Sequence, residues 1–371
     1  MRRPTPPVPR HLSRLPSRLV AAVLAATLAA CAPLPRVADG RAVDASLATA
    51  PGQHLQDLRA PYRQAVCRRL PGGEAGCERW LRRLSGEPAE APARWPVGSA
   101  PPGGHAALAG RYRIAFVPGL LAECFDKLAR PFGDAERSLL ADGFSVEHVS
   151  VPGRGSSAAA AHRLARHFAG LPADPRPVIL FAYSKGLPDV LEFLVRHPQQ
   201  AGRVAAVVSV AGAVRGSLLA DRLMAPYRQW LAGLPLPGCA PGDGEELHSL
   251  QPAVRQAWWQ AHGAAITTPV FSLVAEPRPE QVSPATRGTY RWLSTIDARN
   301  DGKLLATDQI VPGGHLLGFV NADHWTIAIP LLEELPVLAP LIHDGVPRRA
   351  LVEAAIEVVA QALAQRAARQ P

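Results

Sequence analysis

From residue 112 onward, six short apolar runs recur at helix-length intervals: YRIAFV (112–117), FSVEHVSV (144–151), VILFAY (178–183), VAAVVSVAG (204–212), VFSLVA (270–275) and LLGFVN (316–321). Runs rich in Val, Ile and Phe, separated by segments long enough to cross over, predict an α/β fold: a mostly parallel sheet with helices on both faces. The intervening helices are legible as well. SSAAAAHRLARHFAG (156–170) opens on serines suited to capping and closes on glycine, and PDVLEFLVRH (188–197) repeats apolar residues at helical spacing. The closing stretch PRRALVEAAIEVVAQALAQRAARQ (347–370) reads as an amphipathic helix laid on the sheet. Between the fourth and fifth runs the interval is longest and holds Trp230, Trp258 and Trp259. An insertion over about 214–266 is expected to form a helical lid above the C-terminal edge of the sheet, the edge where such folds bind ligands.

The 371 residues, 47% hydrophobic and 19% charged, are enough for a large buried core. The net charge of +9 is less telling, because Arg2, Arg3, Arg10, Arg14 and Arg18 stand in a leader without an acidic residue. With no Lys/Arg run and no interleaved aromatics, a nucleic-acid partner is not expected. The leader's apolar stretch LVAAVLAATLAA ends at Cys31. It is too short to cross a hydrocarbon core of about 30 Å as a helix and fits the apolar region of a secretory signal. LAAC (28–31) resembles the lipobox of bacterial lipoproteins, which implies a signal peptide over 1–30, a lipidated Cys31, and a membrane-anchored protein of the cell envelope facing the periplasm or the exterior. Residues 31–110 then read as a tether and a cysteine-bearing N-terminal segment, closed off by the loop SGEPAEAPARWPVGSAPPGG (85–104), with the α/β domain over 111–371.

Setting Cys31 aside leaves Cys67, Cys77, Cys124 and Cys239, an even set suited to an oxidising compartment. Three pairings are open, and four reduced, buried thiols are the alternative. Cys67 with Cys77 is the local choice across LPGGEAG, which leaves Cys124 with Cys239. No Cys or His spacing points to a metal.

The stretch FAYSKGLPDV (181–190) sets Ser184 between a strand and a helix, with Ala182 two residues before it and Gly186 two after. This is the nucleophile-elbow pattern G-x-S-x-G with Ala in the first glycine position, a tight turn that tolerates only small flanking residues. At this point residues 112–335 resemble the α/β-hydrolase superfamily, in particular its lipase and esterase branch. FVPGLL (116–121) is similar to the oxyanion loop of lipases, with Pro118 where many carry histidine, and VPGRGSS (151–157) is similar to a further lipase loop. The resemblance implies that the N–H groups of Leu120 and Lys185 form the oxyanion hole. The side chain of Lys185 reads as a cation standing in solvent at a helix start rather than one that recruits an anionic substrate.

A serine hydroxyl needs an imidazole as base and a carboxylate to orient it. The order implied by the resemblance is Ser, acid, His. His324, directly after the last apolar run, fits the base better than His315 or His343. For the acid, Asp308 in TDQIVPGG resembles the D-x-x-V-P loop of lipases and is the first choice, ahead of Asp301 in RNDG and of Glu276 and Glu280. The expected activity is hydrolysis of a small-molecule or lipid carboxylic ester through an acyl-enzyme, a chemistry that needs no metal or organic cofactor. A non-catalytic envelope binding protein on the same scaffold, a peptidase and an acyltransferase are the rival readings.

Overall fold

The computed structural model describes residues 54–84, 86–90, 95, 104–125, 130–235 and 238–369. The expected signal peptide, the expected lipidation at Cys31 and the expected tether before residue 54 lie outside the described residues.

All six apolar runs become strands. They form β3 (Arg113–Val117), β4 (Val146–His148), β5 (Val178–Tyr183), β6 (Val204–Val210), β7 (Val270–Ala275) and β8 (His315–Val320). Two short strands precede them, β1 (Gln56–Asp57) and β2 (Leu81–Arg82). The sheet runs β1-β8-β7-β6-β5-β3-β4, with every pairing on this path parallel. β5 and β6 are central, and their residues are almost all buried because helices cover both faces.

The cysteine-bearing segment 54–84 is part of this sheet. β1 pairs in parallel with the first half of β8, Gln56 opposite His315. β2 pairs antiparallel with its second half, Leu81 opposite Val320. Two separate pieces of chain thereby cover an edge that would otherwise present unpaired backbone groups. Helices α1 (Arg59–Cys67) and α2 (Gly73–Trp80) join the two pieces and are tied by the Cys67–Cys77 disulfide.

One face of the sheet is covered by α1, by α3 (Gly133–Ala141) and by the last helix, here α8 (Arg348–Ala367). The other carries α4 (Ser157–Gly170) and α5 (Gly186–Arg196). Ser156 caps α4, its hydroxyl accepting from the Ala159 N–H at 3.2 Å. The final helix departs from the amphipathic expectation: nearly every residue from Arg348 to Ala360 is buried. α1 and α3 flank it against the sheet, so it has no solvent face there, and its acids are buried because they are paired. Glu357 receives Arg68 at 2.5 Å and Arg69 at 2.7 Å, and Glu353 accepts from Ser138 at 2.8 Å. The long interval after β6 forms the helical insertion, with α6 (Leu218–Trp230) and α7 (Pro252–His262) as its main helices.

Candidate active site

β5 ends at Tyr183, and the chain turns at Ser184 with φ of +54° before α5 begins. A left-handed conformation costs a residue other than glycine roughly 1–2 kcal/mol, so the turn must be held from outside. The Ser184 N–H donates to Val210 O at 3.1 Å, and the Ala213 N–H donates to Ser184 O at 3.1 Å, which pins the elbow to the end of β6. The small residues are required by close packing. A Cβ on Gly186 would lie 2.6 Å from the carbonyl oxygens of Val117 and Pro118. One on Gly119 would lie 2.9 Å from the Ser184 Cβ. The loop after β3 is therefore seated directly on the elbow.

This loop carries Leu120 and Leu121. Leu121 takes a positive φ of 62°, and its N–H donates to Gly153 O at 3.1 Å. A Cβ at Gly153 would come within 2.9 Å of the Leu121 nitrogen, so the VPGRGSS loop sets the position of the first loop. The N–H groups of Leu120 and Lys185 have no hydrogen-bond partner among the described residues. Two unspent donors beside a strained serine are the geometry that can stabilise a developing oxyanion.

His324 follows β8 and is buried. Its Nε2 lies 2.8 Å from Ser184 Oγ, and its Nδ1 lies 2.7 Å from Asp301 Oδ2. With Nδ1–H donating to the carboxylate, Nε2 is free to accept from the serine hydroxyl. Asp301 is fully buried, and its other oxygen accepts from the N–H groups of Lys303 at 2.8 Å and Leu304 at 2.7 Å. Behind the imidazole, the Tyr183 hydroxyl donates to His324 O at 2.8 Å. Burial, with the Asp301 and Asp323 carboxylates nearby, raises that phenol well above its usual range.

The acid expected at Asp308 is corrected here: it is Asp301, in RNDG, that the structure brings to His324. The cause is local chain geometry. Asn300 and Leu305 bridge across a tight turn in which Gly302 has φ of +89°, so the Asp301 carboxylate is folded back toward β8. Asp308 sits past that turn in a single 3₁₀ turn, where its carbonyl accepts from the Arg215 N–H at 3.2 Å. Burial raises its carboxyl to about 7, against the pull of Arg215. Neither glutamate reaches the imidazole: Glu276 pairs with Arg82 at 2.6 Å, and Glu280 occupies an exposed turn. His343 contacts Glu280 O, and His315 opens β8 at the opposite end of the sheet.

Lys185 also differs from expectation. Its ammonium is buried, not solvated, and is held by both oxygens of Asp189 at 2.8 and 2.9 Å. α5 lies between the sheet and α7, whose buried Arg255 faces Asp189 and Glu192, so its first turn has no solvent side. Burial raises the Asp189 carboxyl and the neighbouring Lys185 opposes it.

The helical insertion is fastened on two sides. Cys124, just past the Leu120 loop, is bonded to Cys239 of the insertion. Arg154 of the VPGRGSS loop donates to Leu234 O at 2.6 Å, to Leu231 O at 2.7 Å and to Ala232 O. Sequence reasoning passed over Arg154 and the Lys185–Asp189 pair; the i,i+4 spacing of the latter was its only signal. Among the described residues no group of His, Cys, Asp and Glu side chains could hold a metal ion.

Among solved structures, the chain is similar to the metagenomic carboxyl esterase MGS0156, with 34% identity, a TM-score of 0.76, and coverage of 92% of this chain and 99% of that one. The propeptide form of the lipase BlEst2 from Bacillus licheniformis matches at 21% identity and a TM-score of 0.50, over 62% of this chain and 50% of that one, a likeness of fold alone. No family model and no curated protein matches. A third of all positions shared with one esterase, over nearly the whole of both chains, is kinship as well as common architecture: this protein belongs to the esterase and lipase branch of the α/β-hydrolases and is a serine ester hydrolase.

Proposed function

We propose that the protein cleaves carboxylic esters through an acyl-enzyme on Ser184, with His324 as base and Asp301 as the carboxylate that orients it. Ser184 Oγ attacks the ester carbonyl carbon as its proton passes to His324 Nε2. The oxyanion is received by the N–H groups of Leu120 and Lys185, each worth about 10²–10³ in rate for such holes. His324 then returns the proton to the departing alcohol oxygen, and water repeats the sequence to release the acid. The observation that supports this reading is the unbroken hydrogen-bond chain at 2.8 and 2.7 Å from an elbow serine to a buried carboxylate. Labelling with a fluorophosphonate probe tests it: wild-type protein takes up label at Ser184 and Ser184→Ala takes up none. Folded wild-type protein that stays unlabelled overturns it.

The envelope anchor belongs to the same proposal. LAAC at 28–31 supports lipidation at Cys31, and the Cys67–Cys77 and Cys124–Cys239 disulfides accord with an oxidising compartment. Metabolic labelling with an alkyne fatty acid is expected to mark the wild-type protein and to leave Cys31→Ser unmarked; equal labelling of both removes the anchor from the proposal.

A further inference from the structure

At the N-terminal end of the strands, where β7 and β8 begin, lies a cavity of about 530 Å³, large enough for a small ligand. Ser184 follows the opposite ends of strands some six residues long, so by the rise of a strand the two places are roughly 20 Å apart. The cavity therefore has no part in the site described above.

Its walls sort by chemistry. Phe271, Trp259 and Leu363 supply apolar surface, and the ring of His315 stacks on Phe271 with centroids 4.2 Å apart. Burial lowers that imidazole to about 4, so it contributes a flat neutral face rather than a charge. Arg366 and Arg369 supply cations, and among the described residues no Asp or Glu lines the cavity. Arg366 is held in place by donating to Thr267 O at 3.3 Å, and Thr267 also lines the cavity. Gln365, on the same wall, has a buried side-chain nitrogen with no hydrogen-bond partner among the described residues. A buried donor left unpaired costs about 1–3 kcal/mol, a cost that a ligand oxygen would remove. The end of α8 brings roughly half a negative charge to this wall, and two full guanidinium charges outweigh it.

We propose that this cavity is a binding site for a small organic anion, with its acidic head on Arg366, Arg369 and Gln365 and an apolar body against Phe271, Trp259 and Leu363. The site is independent of the ester-cleaving one and stands whether or not Ser184 is the nucleophile. Titration calorimetry with octanoate and with its uncharged counterpart octanamide, on wild-type protein and on the Arg366→Glu/Arg369→Glu variant, tests it. Both arginines are exposed at the end of the last helix, so the variant is expected to fold and to keep its ester hydrolysis. Octanoate is expected to bind the wild type at least tenfold more tightly than octanamide does, to lose at least tenfold in the variant, and to protect residues 266–271 from hydrogen exchange. Absent binding of octanoate, equal binding of the two probes, undiminished binding to the variant, or no protection over 266–271 would each overturn the proposal.

Discussion

Asp301 and His324 are joined twice: the carboxylate lies 2.7 Å from the ring Nδ1, and the His324 N–H donates to the Asp301 carbonyl at 3.0 Å. The backbone bond fixes where the ring begins and the side-chain bond fixes how it points. Asp301→Asn is therefore expected to leave the loop in place while favouring the wrong tautomer, and to lower kcat by about 10⁴ as in other serine hydrolases so altered. Asp308→Asn is expected to retain activity within severalfold. Steady-state kinetics on a p-nitrophenyl ester decides between the two acids, and the reverse ranking would return the role to Asp308.

Asp308 has a second consequence, in stability. Its carboxyl is raised by burial from an ordinary 3.8 to about 7, so the folded state holds the proton more tightly than the unfolded chain does. The sign follows: the contribution is fully present below about pH 4 and is lost as pH rises through about 7, by up to about 4 kcal/mol when ionisation is complete. Urea midpoints measured from pH 4 to 8 should fall with pH more steeply in the wild type than in Asp308→Asn. Parallel curves would show that the group is not buried as described.

Breaking the Lys185–Asp189 pair from one side leaves a charge in a site with almost no exposure. Lys185→Met is expected to cost about 3–5 kcal/mol, while Lys185→Met/Asp189→Leu recovers most of it, because the pair's attraction is largely spent on its own desolvation. Denaturant titrations of the two variants provide the comparison. A single variant as stable as the wild type would place the pair in solvent after all.

The two disulfides should differ in worth. Cys67–Cys77 closes 10 residues of chain and Cys124–Cys239 closes 115. On the chain-entropy model these loops correspond to roughly 3 and 5 kcal/mol. Cys124→Ala/Cys239→Ala is therefore expected to lower the thermal midpoint further than Cys67→Ala/Cys77→Ala. It should also reduce kcat, since Cys124 ends the segment that carries Leu120. Calorimetric scans and a rate assay report both effects.

What the sequence made legible, and what it hid, divides by range. Central strands such as β5 were visible because both-sided burial demands uninterrupted apolar runs, and the elbow because its constraints lie within five residues. The carboxylate that meets His324 was not, because Asp301 and Asp308 both stand between β7 and β8, and the choice depends on where Gly302 turns the chain. The burial of Lys185 depended on α7 arriving from some seventy residues away. β1 and β2 are two residues each, too short to show any period, and their partner is the far end of the protein.

That last pairing carries a consequence for how the molecule is made. A chain emerging from its N-terminus presents residues 56–57 and 81–82 more than two hundred residues before the strand that receives them. Loop closure over such a span comes late, so the first described segment is the last to be secured, and the outer edge of β8 stays open until it docks. Nascent chains halted before residue 315 should thus be cut readily by protease within 54–84, and become resistant there only once Val320 has cleared the ribosome.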